Sequence, residues 1–345
     1  MDMVDVAVTG VSGRTGQRLL RMLADHDDVE RVVGLDVREP AFRPKSLEFH
    51  AVDIAGADLK PLLEDVDVVV HLASVLDPVP DQEFMARVNV AGTQRLLDAA
   101  AATGVGRVVY ASSAYVYGAR AGNPTPMTED TPLRPNPAFV FAVHKAEAER
   151  LLAEWADEHP AVATVVLRPP FVLGGGTPDS VRALVRGRSA VRVRDAAPEV
   201  QYLHADDLAS ALALAALNEM SGVYNVAPDG WLAHEEAAAL AGWVPRVSVS
   251  ADVAERLASR LWAAGIGDVP PGSIPLQVHS CVVANSRLRA AGWEPQHSTE
   301  EAILAVLEEE GPGDKTAARA WKAAAAGGVL AALGAATWAV LRRRR

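Results

Sequence analysis

Cysteine is almost absent from this chain: Cys281 is the only one in 345 residues. That excludes an internal disulfide and any zinc cluster built on cysteines, and it fits a reducing compartment. Positive charge is also in short supply. Lys and Arg number 33 against 44 Asp and Glu, a formal net charge of −11, so nucleic acid is excluded as a partner. The opening residues lack the features of a secretory signal: Asp2 and Asp5 fall within the first five positions, and the first apolar run already has strand character. Internal repeats are lacking too. Half of the residues are hydrophobic, which is ample for one large domain, or a large one with a small companion.

Residues 1–170 alternate strand-like and helix-like segments. Strands are expected at 4–9, 31–36, 47–52, 66–72, 107–111 and 163–167. Several are nearly continuous valine runs, as in parallel strands buried on both faces. Helical patterns fall between them, notably 81–103 and 138–158. The pattern predicts an α/β fold with a Rossmann-type doubly wound parallel sheet.

The first strand runs into Thr9-Gly10-Val11-Ser12-Gly13-Arg14-Thr15-Gly16, and a helix follows with Leu19, Leu20 and Leu23 on one face. Gly10 can take the backbone angles of a tight turn. Gly13 lets the chain approach a pyrophosphate, and Gly16 lets the helix sit against the strand. Amides at the helix start then face an anion. Gly10, Ser12, Gly13, Arg14, Thr15 and Gly16 are therefore candidate cofactor contacts. Asp36 lies twenty residues past Gly16, at the end of the next strand-like run, where a carboxylate would accept hydrogen bonds from a dinucleotide ribose.

After Pro170 the texture changes. A glycine loop at 174–176 precedes a basic helical turn at 181–188. Short strands are expected at 201–204 and 222–227, with helices at 205–218, 233–241 and 251–264. This half is read as a small substrate-binding part, 171–312, interleaved with the last strands of the sheet. The aromatics Phe171, Trp231, Trp243, Trp262 and Trp293 fall here, where such residues usually pack. The tail, 313–345, stands apart. Its residues 323–341 are nineteen uncharged positions followed by four arginines. At about 1.5 Å per residue such a helix just reaches across a hydrocarbon core of about 30 Å. A hydrophobic C-terminal helix is expected there, with Trp338 and the arginines at the boundary. A cytoplasmic protein attached to a membrane by that helix follows; a loose alanine-rich helix is the alternative.

Five further segments, with the glycine turn, resemble the extended short-chain dehydrogenase/reductases, the NAD-dependent epimerase/dehydratase group that also holds the 3β-hydroxysteroid dehydrogenases. They are Val52-Asp53-Ile54, His71-Leu72-Ala73-Ser74, the stretch Ala111-Ser112-Ser113-Ala114-Tyr115-Val116-Tyr117-Gly118, Arg168-Pro169-Pro170, and His204-Ala205-Asp206-Asp207. The resemblance spans roughly residues 4–310. It implies that Asp53 and Ile54 meet adenine, that Leu72 and Ala73 line the ribose and pyrophosphate, and that Pro169 lies by the nicotinamide. It implies that Asn89 steadies the helix carrying the acid/base pair, that Ser113 is catalytic, and that Lys145 holds the nicotinamide ribose. It also implies a small-molecule substrate and a homodimer through helices 81–103 and 138–158.

One departure matters. The family's acid/base pair is Tyr-x-x-x-Lys, and here the position four before Lys145 is Phe141. A phenol near a lysine ammonium can act as a base at neutral pH, and Phe141 carries no proton. Tyr115 or Tyr117, just after Ser113, or His144 could replace it. Ser113 and water could also sustain slow turnover. Otherwise the chain binds NAD as an inactive sensor or scaffold, or its Rossmann domain is purely structural. Asp36 favours NAD, because it would repel a 2′-phosphate. Arg14 and Arg38 pull toward NADP, since either could pair with that phosphate. The balance favours NAD.

Overall fold

The computed structural model describes residues 3–309, apart from 77–78, 80, 178–180, 183–184, 186–190, 242–246 and 265–270. The expected strands of the first half are present with ends shifted by one or two residues: β1 (Val4–Thr9), β2 (Val29–Asp36), β3 (Leu47–Ala51), β4 (Val68–His71), β5 (Arg107–Ala111) and β6 (Ala163–Arg168). Short strands follow: β7 (Phe171–Leu173), β8 (Val191–Val193), β9 (Glu199–Val200), β10 (Tyr202–His204) and β11 (Gly222–Asn225). The main sheet has seven strands in the order β11-β6-β5-β4-β1-β2-β3. Every pairing in it is parallel. Strand order reverses between β1 and β4, and in such sheets the crevice beyond the strand ends at that point takes a ligand.

Alternation along β1 divides two cores. Val6 and Val8 pack with Leu19, Leu20 and Leu23 of α1 (Arg14–Ala24). Each such leucine contributes about 1.5–3 kcal/mol by leaving water. Ala7 faces the other way, toward Leu96, Leu97, Leu152 and Trp155. The pattern at 81–103 becomes α2 (Gln82–Ala86), one π-helical turn over Arg87–Ala91, and α3 (Gly92–Thr103). Asp81 starts it, its Oδ1 accepting from the Phe84 amide at 2.9 Å. The helix α4 spans Val140–Glu158. In the second half, α5 (Ala205–Leu217) begins with Asp206 and Asp207, acidic groups at the positive end of a helix. Asp207 is buried and accepts from the amides of Gln296 and His297. The expected basic turn at 181–188 falls largely outside the described residues, as does Trp243.

The expectation of a hydrophobic C-terminal helix is corrected. Among the described residues no helix is long and apolar enough to cross a membrane. The longest, α4, has 19 residues but carries Lys145, Arg150 and several glutamates. The segment 323–341 lies outside the described residues. Membrane association, and attachment to a membrane through that helix, leave the reading with it.

Candidate active site

The glycine turn is tight for steric reasons. Gly10 has φ 73°, and a Cβ there would lie 2.8 Å from the Ala73 amide nitrogen. Gly16 is more constrained still: its Cβ would sit 2.2 Å from the Gly10 carbonyl oxygen. The Gly13 amide donates to that same oxygen at 3.0 Å. Asp36, at the end of β2, is held from two sides. Its Oδ2 accepts from the Ser12 amide at 3.0 Å, and its Oδ1 from the Arg38 amide at 3.1 Å. Ser12 also donates its hydroxyl to the Arg38 carbonyl. Of the two arginines weighed for a 2′-phosphate, Arg14 reaches the other way: its Nη1 donates to Thr177 Oγ1 at 3.1 Å and to the Gly174 carbonyl at 3.3 Å.

The loop after β4 is fixed by a directed chain of hydrogen bonds. Thr93 donates its hydroxyl to the Asn89 carbonyl at 2.8 Å, so its oxygen accepts from His71 Nε2 at 2.9 Å. That leaves His71 Nδ1 to accept from the Thr9 hydroxyl at 2.7 Å. The Thr9 oxygen in turn accepts from the Leu72 and Ala73 amides. The chain needs a neutral imidazole. Burial, and next the charge of Lys145, push the His71 pKa down to about 3. Because the folded pKa lies below the usual 6.5, this group's stability is whole above pH 6.5 and is lost as pH falls toward 3. Thermal unfolding followed from pH 7 to pH 4.5 should show a steeper fall in Tm for the parent than for His71→Gln. Equal slopes would remove His71 as the acid-sensitive group. Asn89 sits in the π-helical turn, a feature common at functional sites. Its amide grips the loop, accepting from the Val75 amide at 2.7 Å and donating to the Val75 carbonyl at 3.1 Å. It thus steadies the 74–75 loop through its side chain.

At the end of β5, Ser113 is buried and its Oγ accepts from the Tyr115 amide at 3.3 Å. Lys145 comes from the facing turn of α4. It is 3% exposed, and its Nζ donates to the Ala111 carbonyl at 2.7 Å. That nitrogen lies 4.7 Å from the Tyr110 ring centre and 5.7 Å from that of Phe141. Burial pushes the Lys145 ammonium down to about 7, with Glu149 pulling the other way. The two tyrosines point elsewhere. Tyr117 donates to Asn225 Oδ1 and accepts from Arg168 Nη1, both at 2.8 Å. The Tyr115 hydroxyl accepts from the Phe171 amide at 3.3 Å, and its ring packs 4.2 Å from the Phe171 ring. Burial raises both phenols above their ordinary pKa.

One cavity of about 400 Å³ collects most of these groups. Its walls include Gly10, Gly13, Arg14, Thr15, Gly16, Asp36, Asp53, Ile54, Leu72, Ala73, Ser113, Phe141, Lys145 and Pro169. Ser12, Tyr115 and Tyr117 are not on its wall. Sequence reasoning missed the Thr9–His71–Thr93 chain and a buried network behind the cavity. There Glu149 accepts from Arg168 Nε at 3.0 and 3.1 Å, and also from the Ser112 hydroxyl. A signal existed: positions 141, 145 and 149 share one helical face, and two charged residues on a core-facing stripe need partners.

A profile of the NAD dependent epimerase/dehydratase family matches residues 6–227. Among individual proteins, a UDP-glucose 4-epimerase of Mycolicibacterium smegmatis is 36% identical over 227 residues, 59% of this chain and 70% of that protein. The Sinorhizobium fredii protein y4nG is 32% identical over 224 residues, and the match takes in 64% of this chain and only 55% of that protein. A monkeypox virus 3 beta-hydroxysteroid dehydrogenase/Delta 5-->4-isomerase is 30% identical over 183 residues, 49% of this chain and 53% of the viral one. Among solved structures, MoeE5 in complex with UDP-glucuronic acid and NAD is 26% identical, with a TM-score of 0.69 over 88% of this chain and 98% of that one. The Thermus thermophilus UDP-glucose 4-epimerase complex with NAD shares the fold at 24% identity, with a TM-score of 0.68 over 90% of this chain and 100% of that one.

Proposed function

This chain belongs to the NAD dependent epimerase/dehydratase family, and from that premise we propose that it binds NAD and acts as an oxidoreductase or epimerase-type enzyme on a hydroxyl or keto carbon of a small molecule. The observation that carries the reading is one cavity with the glycine turn and Asp36 at one end and Ser113 and Lys145 at the other. NAD when bound supplies the hydride chemistry. The chain's own residues do the rest. Amides at the start of α1 receive the diphosphate. Asp36, already oriented by two amides, receives the adenosine ribose hydroxyls. Asp53 and Ile54 border the adenine, while Leu72, Ala73 and Pro169 line the cofactor's path. Ser113 holds the substrate oxygen. Residues 1–170 form the cofactor part and 171–312 the substrate part; Phe171, Val172, Val181 and Ser273 on the cavity wall support that division.

The reaction end is apolar. Of the six phenylalanines in the chain, Phe84, Phe139, Phe141 and Phe171 line this cavity. Of the charged groups on the described wall, Asp36, Arg38 and Asp53 stand at the ends of β2 and β3, and Arg14 reaches to Gly174 and Thr177; the phenylalanines suit a substrate with an apolar face. A second reading, a cofactor-binding protein without turnover, is favoured by Phe141 alone.

Cofactor choice gives the test. Calorimetric titration of the parent should give NAD at least about tenfold tighter than NADP, because a 2′-phosphate would meet the Asp36 carboxylate. In Asp36→Ala that ratio should collapse to near one. Tighter NADP binding in the parent would overturn the assignment, and no binding of either would remove the enzyme reading.

A further inference from the structure

Phe141 leaves the family reaction without its phenol, and the cavity offers few replacements. Among the described residues its wall carries five charged groups, Arg14, Asp36, Arg38, Asp53 and Lys145. Asp36, Arg38 and Asp53 stand at the ends of β2 and β3, and Arg14 is bonded to Gly174 and Thr177. An arginine does not give up a proton near neutrality. Tyr115 and Tyr117 are turned into other bonds and are off the wall. His144 is off the wall as well. We propose that Lys145 itself carries the proton of the reaction, taking it from a carbinol oxygen held by Ser113 and returning it when a ketone is reduced. The inference rests on the NAD-dependent reading above.

The surroundings of the amine suit that task. Its nitrogen has the Ala111 carbonyl as its one hydrogen-bonding partner among the described residues, and two aromatic rings beside it. Among the described residues no carboxylate pairs with it. Glu149, one turn further along α4, is taken up by Arg168 of β6 and by Ser112. His71 faces it from β4 as a neutral ring, and Tyr110 faces it from β5 as a phenol whose burial keeps it protonated. Burial without an ion pair brings amine and ammonium into balance near pH 7, where a proton carrier works best. In oxidation, the carbinol carbon gives its hydride, with two electrons, to oxidised NAD. The O–H bond breaks, its proton forms the Lys145 ammonium, and the carbon keeps a C=O bond. Reduction reverses each transfer.

Proton counting tests this without a known substrate. Oxidised NAD would bring a positive charge into the cavity that Lys145 lines, and should drive a proton off its amine. Calorimetry at pH 7 in buffers of different ionisation enthalpy should show release of a fraction of a proton per oxidised NAD bound. NADH, lacking that cation, should release less. Lys145→Arg, which still donates hydrogen bonds but cannot deprotonate, should bind oxidised NAD within about tenfold of the parent and release none. Labelling the five lysines with 13C at Cε gives an independent readout that needs no ligand. One signal should titrate near pH 7, and it should be missing from Lys145→Arg. Five signals titrating near pH 10, or equal proton release from parent and variant, would overturn the proposal. Absence of any NAD binding in the parent would instead overturn the reading on which it rests.

Discussion

Replacing Gly16 with alanine should lower affinity for NAD by at least about 100-fold, since an ångström-scale displacement in a binding constellation costs that much. The added Cβ would stand 2.2 Å from the Gly10 carbonyl oxygen and 2.7 Å from the Val11 Cα. Both are backbone atoms, and neither can swing aside as a side-chain tip would. Relief comes only if α1 lifts from the turn, which moves its first amides away from where a diphosphate would lie. It also loosens Leu19, Leu20 and Leu23 from the sheet, so stability should fall as well. Gly13→Ala provides the control. Its Cβ meets one protein atom, the Gly10 oxygen, at 3.1 Å, so the fold should hold while NAD affinity still falls, the added methyl standing where the chain approaches the pyrophosphate. Calorimetric titration with NAD, after circular dichroism confirms folding, decides the matter. A Gly16→Ala protein binding NAD like the parent would show that helix-to-turn contact has no part in the site.

The second large effect is on stability. Glu149→Ala should cost about 3–5 kcal/mol, the usual result of stripping one partner from a buried ion pair. The Arg168 guanidinium is 6% exposed and the Glu149 carboxylate 5%. Without Glu149, Arg168 keeps the Tyr117 oxygen and the Glu129 carbonyl but no negative charge among the described residues. The Ser112 hydroxyl, next to Ser113, loses its acceptor too. The double variant Glu149→Leu with Arg168→Met should recover most of the loss, because the desolvation cost of both charges disappears together. Urea unfolding of the three proteins measures this. A single variant within about 1 kcal/mol of the parent would mean that water compensates the charge.

Much of the fold was legible because its signals are local. Valine runs such as 68–70 and 108–109 mark strands buried on both faces, and the leucines of α1 fall on one stripe. The glycine spacing carried its own steric logic, which the short approaches at Gly10 and Gly16 make explicit. Long-range pairings were another matter. Nothing near Glu149 in the chain announces Arg168, nineteen residues on, or Tyr117, thirty-two residues back. Asn89 was expected to steady the helix, yet its side chain holds the loop at 74–75. Tyr115 and Tyr117 looked available because they follow Ser113 closely. The short 3₁₀ turn at Ala114–Tyr117 turns their hydroxyls toward Phe171 and Asn225 instead. The tail misled for the opposite reason: a length of uncharged residues counts apolarity, and alanine and glycine supply little of it.

The seventh strand of the sheet has a practical corollary for anyone cutting this chain. β11 comes from the second half, yet it lies along β6, from Gly222 beside Val165 to Asn225 beside Arg168. α5, also from the second half, covers α1 with Leu208 and Leu212. A fragment ending at 170 would therefore leave β6 with a bare row of amides and carbonyls and α1 without its cover. Open edges of that kind recruit other chains. Such a fragment should precipitate, whereas one that runs through β11 retains its own seal.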